Sequence, residues 1–116
     1  MLFRSCIADV GAGAGLPAVP LAIMCPDCSF TMIDSLNKRV RFLHLLIEKL
    51  ELSNCSAIWN RAEAAGHDPH LRAQFDTVVA RGVSHLSPLL EYTVPLLKVG
   101  GRLIAYKGEK DRKSVV

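Results

Sequence analysis

The feature that most constrains this chain is a glycine turn between two apolar segments. Gly11, Gly13 and Gly15 alternate with alanines directly after an apolar run over Cys6 to Val10, and a second apolar run over Pro17 to Met24 follows. A short apolar run that enters a glycine turn is typical of a buried strand. Proline at the start of the second run suits the first turn of a helix. The segment therefore predicts a strand, a tight turn and a helix in succession.

The rest of the chain continues this alternation. Leu36 to Leu50 is the clearest helix, because its apolar residues recur at three- and four-residue steps. We also expect strands over Phe30 to Ile33, Ala57 to Trp59, Asp76 to Ala80 and Arg102 to Tyr106, a helix over Leu86 to Leu97, a short helix beginning near His67 to His70, and a turn at Gly100-Gly101. Strands separated by helices predict a single α/β domain over residues 1–116, with a parallel sheet covered by helices on both faces.

Composition and charge leave few classes of function. The net charge of +3 suits an anionic partner without requiring one. Charged residues interrupt every apolar run before it could span a bilayer, so no membrane partner is expected. The first residues are interpreted as a core strand and not as a targeting peptide, which makes the cytoplasm the expected location.

The four cysteines give a weak signal. Cys25 and Cys28 have the spacing of a redox motif, but they lie between a predicted helix end and a strand, whereas such a motif opens a helix. Ordinary thiols are expected, with a redox or zinc role as the lesser alternative. No second cysteine or histidine pair has metal-ligand spacing, so no metal is expected.

The residues that follow the strands indicate a ligand site. In a parallel α/β sheet, ligands bind beyond the carboxyl ends of the strands, at the point where the strand order reverses. After the glycine turn, the later strand ends carry Asp34, then Arg61 to Glu63, then Arg81, then Lys107. We expect these residues to line one crevice.

The spacing of the glycines distinguishes between cofactors. A dinucleotide fingerprint would have its third glycine where Leu16 stands. The turn therefore favours S-adenosylmethionine, which has a methionine part and no pyrophosphate, over NAD. Asp9 could then hold the cationic amino-acid group. A tight turn with no ligand is the structural alternative.

Two further strand ends fit the same cofactor. Asp34 can accept hydrogen bonds from ribose hydroxyls, and together with Ser35 it could also cap the following helix. Ala62 and Glu63 could meet the edge of an adenine, although Glu63 could equally be a solvated loop acid.

Cations could serve an RNA partner. Lys38, Arg39 and Arg41 could grip phosphates, although a solvated helix face explains them equally well. Arg81 and Lys107 are either ligand-facing cations or ordinary surface charges. The histidines show no triad or metal spacing, and no acid–base dyad is readable.

Taken together, these motifs resemble a known family. The matching segments are Asp9 to Pro17, Asp34 to Arg39, Arg61 to Glu63, Phe75 to Arg81, and Gly100 to Gly108. They resemble the bacterial 16S ribosomal RNA guanine-N7 methyltransferase family, ribosomal small-subunit methyltransferase G, also called glucose-inhibited division protein B. Small departures are Ala18 and Gly82, where the family usually has glycine and alanine.

The resemblance implies a fold and a set of contacts. The fold is a Rossmann-like methyltransferase sheet of order 3-2-1-4-5, here lacking the last two strands, so the chain is expected to be a truncated central fragment. The implied contacts are Gly11 and Leu16 with the cofactor at the loop, Asp34 and Ser35 with its ribose, Ala62 and Glu63 with its adenine, Arg81 with cofactor and guanine, and Lys107 with RNA or substrate.

The implied activity is methylation of a guanine N7 in 16S ribosomal RNA or the small-subunit particle. The first alternative is a non-catalytic remnant that keeps the cofactor-binding fold. The second is a nicotinamide-binding Rossmann half-domain, which the position of the third glycine disfavours.

Overall fold

The computed structural model describes residues 2–81 and 86–106. Strands and helices alternate along this part of the chain, as the sequence predicted. The elements are β1 (Ser5–Val10), α1 (Ala18–Met24), β2 (Cys28–Asp34), α2 (Asn37–Lys49), β3 (Cys55–Trp59), α3 (Ala62–Ala65), β4 (Phe75–Arg81), α4 (Leu86–Thr93), a 3₁₀ turn (Val94–Leu96) and β5 (Leu97–Tyr106).

The strands form one parallel sheet in the order β3-β2-β1-β4-β5, which confirms the predicted fold class. The chain builds outward from β1 to β3 and then crosses back to place β4 on the other side of β1. The carboxyl ends of β1 and β4 therefore form the switch point at which such sheets bind ligands.

Helices cover both faces of the sheet, and each face has its own apolar core. Against α1 and α2, the core includes Phe30, Met32 and Leu43. Against α3 and α4, it includes Val78 and Leu96. Alternate residues of each strand supply the two cores, because successive side chains of a strand point to opposite faces. No helix in the described ranges is long and apolar enough to cross a membrane.

The cap predicted for the second helix was wrong. The N-cap residue of α2 is Leu36 and not Ser35, and its side chain makes no capping hydrogen bond. The Asp34 carboxylate reaches past Ser35 instead, and its Oδ1 accepts the Leu36 N–H at 3.0 Å. An aspartate can satisfy a backbone donor two residues on in this way, which leaves the serine hydroxyl with no capping role.

Two other helices also differ from their predicted bounds. The short helix expected near 67–70 lies earlier, at Ala62–Ala65. The helix expected to reach Leu97 ends at Thr93, because Pro95 cannot donate the backbone hydrogen bond that a continuing α-helix needs.

The glycine pair lies inside β5 and not in a separate turn. Phe75 pairs with Leu97 but Thr77 pairs with Arg102, so β5 bulges between the two pairs. Gly100 adopts a φ of +83°, a conformation that favours glycine. The bulge absorbs the extra residues without ending the strand.

Asn54 joins the helices to the sheet at the end remote from the switch point. The side chain is buried, and its Nδ2 donates to the carbonyl oxygens of Ala22, Cys25 and Cys28 at 3.1, 3.2 and 3.0 Å. The backbone carbonyl oxygen of Asn54 accepts the N–H of Phe30 at 2.8 Å. The side-chain amide thus ties the end of α1, the following loop and the start of β2 together through three carbonyl oxygens.

We predict that Asn54→Ala destabilises the protein by about 1–3 kcal/mol, because the substitution removes the buried amide that donates to three carbonyl oxygens. Urea unfolding measures the change, and Ser53→Ala at the exposed neighbouring position is the control, expected to stay within about 0.5 kcal/mol. An equal effect of the two substitutions would contradict the role given to the amide.

Candidate cofactor cleft

A cleft of about 1320 Å³ opens at the carboxyl ends of the strands, where the strand order reverses. It is lined by residues from every strand end and turn that the sequence indicated within the described ranges. The predicted residues that line it are Gly11, Gly13, Asp34, Ser35, Lys38, Arg39, Arg61, Ala62, Glu63 and Arg81.

Asp34 occupies the floor of the cleft, and three groups of its surroundings hold its carboxylate. The residue is 3% exposed. Its Oδ2 accepts the Gly13 N–H at 2.9 Å and lies 3.7 Å from the Arg39 guanidinium, while its Oδ1 accepts the Leu36 N–H. Charge-assisted bonds of this kind fix a carboxylate in one orientation. The cleft therefore has a rigid, negatively charged floor beside the glycine turn.

The three glycines of the turn have different structural roles. Gly11 and Gly13 line the cleft with φ of +74° and +56°, and a Cβ built on Gly11 would meet no atom within 4 Å. Gly15 is buried behind the turn, where a Cβ would lie 2.8 Å from Val19 Cγ2. The first two leave bare backbone facing the cleft, and the third allows α1 to pack closely against the turn.

Asp9 lies behind the glycine turn and does not line the cleft. It is buried, its carboxylate accepts the Ala18 N–H, and its Oδ2 has no hydrogen-bond partner among the described residues. Burial raises the pKa of Asp9 to about 7, against the lowering effects of the Ala18 N–H and the Arg81 charge, and Asp34 raises it further. A buried carboxylate with an unused oxygen is a strong acceptor for any cation or donor that reaches it.

The rim of the cleft carries most of its charge. Lys38, Arg39, Arg61 and Arg81 line it, against the carboxylates of Asp34 and Glu63. Arg81 is exposed at the end of β4, and Glu63 lies in the first turn of α3. The cleft thus has a cationic rim above its acidic floor.

Several predicted residues lie elsewhere. Gly15, Leu16 and Arg41 are not part of the cleft lining, and Leu16 is about half exposed. Lys107 lies outside the described residues, as does Gly82. The four cysteines are free thiols. Within residues 2–81 and 86–106, no three histidine, cysteine or acidic side chains are grouped to hold a metal.

Among the lining residues that were not predicted as site residues, Asn60, Phe42 and Tyr92 carry polar or aromatic side chains. Asn60 directly follows β3 and could have been inferred from that position. Phe42 lies one helical turn after Lys38 on the same face of α2, so the predicted role of Lys38 could have indicated that Phe42 also lines the cleft. Tyr92 reaches the cleft from α4, and no local sequence signal indicates that placement.

Solved structures that superpose on this chain include proteins named as methyltransferases. The antibiotic-resistance methyltransferase Kmr superposes with a TM-score of 0.79 at 20% identity, covering 94% of this chain and 61% of Kmr. PKMT2 from Rickettsia typhi, solved in complex with AdoHcy, gives a TM-score of 0.71 at 19% identity and covers 87% of this chain and 20% of PKMT2. At these identities the likeness defines the fold, which is the Rossmann-like fold of S-adenosylmethionine-dependent methyltransferases.

The sequence comparisons identify the family. Residues 2–116 match the family described as rRNA small subunit methyltransferase G, and the chain belongs to it. The ribosomal RNA small subunit methyltransferase G of Lactobacillus johnsonii is 49% identical over 104 residues, which are 90% of this chain and 44% of that protein. The chain thus spans less than half the length of the curated relatives that it matches.

We predict that the contribution of Asp9 to stability falls as the pH rises from about 4 to 7. Because the pKa of Asp9 is raised in the folded state, its carboxyl keeps a proton at pH values above 3.8, where the same group in the unfolded chain has lost it. Asp9→Asn removes this contribution, so its stability relative to wild type should increase by on the order of 1–3 kcal/mol between pH 5 and pH 8.

Denaturant unfolding at the two pH values measures this difference. Glu48→Gln, at an exposed position on α2, is the matched control and should show no such change. If wild type and Asp9→Asn differ equally at pH 5 and pH 8, the burial of the Asp9 carboxyl has no such effect.

Proposed function

We propose that this chain is the cofactor-binding core of a methyltransferase that moves a methyl group from S-adenosylmethionine to N7 of a guanine in 16S ribosomal RNA. The observation that carries the proposal is the Asp34 carboxylate, buried and oriented on the cleft floor beside the glycine turn. Membership of the rRNA small subunit methyltransferase G family supports the RNA substrate.

The residues present fit such a cofactor. Asp34 would accept hydrogen bonds from the ribose hydroxyls, and Ser35 lies beside it. Gly11 and Gly13 offer backbone with no side chain in the way. The AdoHcy bound by PKMT2, a neighbour in fold, is consistent with a ligand of this type.

Two further groups fit the ends of the cofactor. Ala62 and Glu63 begin α3 at the end of β3, where they would flank the adenine. Asp9 would supply negative charge behind the turn, on the side where a cationic amino-acid group would lie. Leu16 would contact the cofactor from the outer part of the turn.

The proposed chemistry requires no general base from the protein. When bound, S-adenosylmethionine supplies a methyl group on a cationic sulfur. Guanine N7 has an in-plane lone pair and no proton. Methylation at that lone pair would leave no proton to remove, so no side chain of this chain would have to act as a base.

The protein's own part would be to hold the base in line and to keep water out. Arg81, at the end of β4 and on the cleft rim, would lie between a cofactor on the floor and a base at the mouth. Lys38, Arg39 and Arg41 would meet RNA phosphates, and Lys107 is proposed to act in RNA or substrate binding. A cytoplasmic location, where ribosomal RNA is found, stays a prediction.

Calorimetric titration with S-adenosylhomocysteine tests the cofactor assignment. We expect wild type to bind it and Asp34→Ala to bind at least tenfold more weakly, because charge-assisted hydrogen bonds to the ribose are lost. Asp27→Ala, an exposed aspartate at the opposite end of the sheet, is the control. Thermal unfolding of both variants separates lost binding from lost folding.

The same titration with NAD tests the nicotinamide alternative. Binding of NAD in place of S-adenosylhomocysteine would overturn the methyltransferase assignment.

Transfer of a labelled methyl group to small-subunit RNA tests the reaction. We expect 7-methylguanosine in the digested product and a loss of roughly tenfold or more in Arg81→Ala, since small errors in positioning cost large factors in rate. Arg102→Ala, an exposed arginine on β5, is the matched control. Cofactor binding without any transfer would favour the non-catalytic alternative, and methylation of another base atom would overturn the N7 assignment.

A further inference from the structure

Trp59, the chain's only tryptophan, presents its ring to solvent at the edge of the sheet. The residue ends β3 and is 62% exposed. Its Nε1–H donates to the Ser35 carbonyl oxygen at 3.0 Å. An indole has one hydrogen-bond donor and no acceptor, so this bond uses its only polar group. The exposed remainder of the side chain is an apolar aromatic face that is already held in place.

This ring lies directly beside the cofactor cleft. Trp59 is the register partner of Asp34 on the neighbouring strand, and adjacent strands are about 4.8 Å apart. Ser35, which accepts the indole hydrogen bond, itself lines the cleft. A flat group resting on the ring would therefore be next to whatever enters the cleft.

Cations flank the ring as well as the cleft. His44 Nε2 lies 2.9 Å from the carbonyl oxygen of Ala57, which fixes where α2 crosses β3. The helix begins beside the end of β2 and runs back along the sheet. Arg41 therefore lies on the same face of α2 as His44, but closer to the carboxyl ends of the strands. Trp59 likewise lies on the same face of β3 as Ala57 and closer to that end.

This register brings Arg41, which does not line the cleft, near Trp59. Arg61, two residues after the ring, is exposed and does line the cleft. From these positions we infer positive charge on two sides of the ring, from Arg41 on the helix side and from Arg61 beyond the end of the strand.

A fixed aromatic face among arginines is the chemistry that binds unpaired nucleotides. Bases stack on the ring whatever their sequence, and the cations take the phosphates. Paired bases hide their faces within the duplex, so only single-stranded RNA can use such a surface.

We propose that Trp59, with Arg41 and Arg61 beside it, forms a stacking site for an unpaired nucleotide of the RNA substrate, adjacent to the nucleotide that enters the cleft. This inference rests on the proposed function for its substrate class. Stacking on Trp59 would position the strand without taking part in methyl transfer.

Fluorescence tests the contact directly, because the only tryptophan is the reporter. A single-stranded RNA oligonucleotide should quench the emission of Trp59 in the wild-type chain. Inorganic polyphosphate and a duplex of the same length should not, since neither offers a free base face. Absent quenching at saturating RNA would overturn the proposal and leave the ring as a surface for protein packing. Equal quenching by polyphosphate or duplex would also overturn it.

Variants separate stacking from charge and from folding. Measured by anisotropy of labelled RNA, Trp59→Leu should bind about 5- to 150-fold more weakly, the equivalent of about 1–3 kcal/mol of stacking per base. Trp59→Phe keeps a ring and should restore most of the affinity. Ile104→Ala, which removes exposed apolar surface from the other edge strand, is the control and should bind as wild type.

Two outcomes of these measurements would overturn the stacking site. One is wild-type RNA binding by Trp59→Leu, and the other is a Phe variant as weak as the Leu variant. Binding of S-adenosylhomocysteine is measured in parallel and should be unchanged in all three variants. A failure there, or in methyl transfer by wild type, contradicts the proposed function and is distinct from a failure of the stacking site.

Discussion

The candidate site depends on the hydrogen bonds that join the glycine turn to the end of β2. The Gly11 N–H donates to the Ile33 carbonyl oxygen at 2.8 Å, and the Gly13 N–H donates to the Asp34 carboxylate at 2.9 Å. The first bond continues the pairing of the two strands into the turn, and the second makes a side chain part of the turn's own structure. Because the same carboxylate also holds the start of α2, a single buried aspartate connects two strand ends and a helix.

The sequence predicted most of the fold because its strongest signals are periodic. Apolar runs separated by amphipathic segments require a parallel sheet with crossover helices, and the observed sheet order follows the family resemblance. The errors lie where local competition decides. The Asp34 carboxylate, and not the Ser35 hydroxyl, accepts the Leu36 N–H at the start of α2. Gly100-Gly101 lies in a bulge and not in a turn, because the pairing of β4 with β5 resumes after it.

The site could be predicted to the level of strand ends but not to the level of side-chain direction. A residue that follows a parallel strand lies at the carboxyl edge of the sheet, which is why Asp34, Glu63 and Arg81 meet in one cleft. Spacing alone does not say which residues of a tight turn face inward, so Gly15 and Asp9 were grouped with residues that line the cleft. Tyr92 enters through the packing of α4, which only the three-dimensional arrangement shows.

Arg39 belongs to two surfaces at once. Its guanidinium faces the buried Asp34 carboxylate on the cleft floor, yet more than half of its side chain is exposed among the cations of the rim. A ligand that hydrogen-bonds to the Asp34 carboxylate weakens the attraction between Asp34 and Arg39, which changes the positive charge available at the rim. An anion that pulls Arg39 toward the rim changes the electrostatic potential at the floor. Linkage requires the two effects to be equal in free energy. The floor and the rim are therefore thermodynamically coupled through one side chain, with no movement of the backbone required.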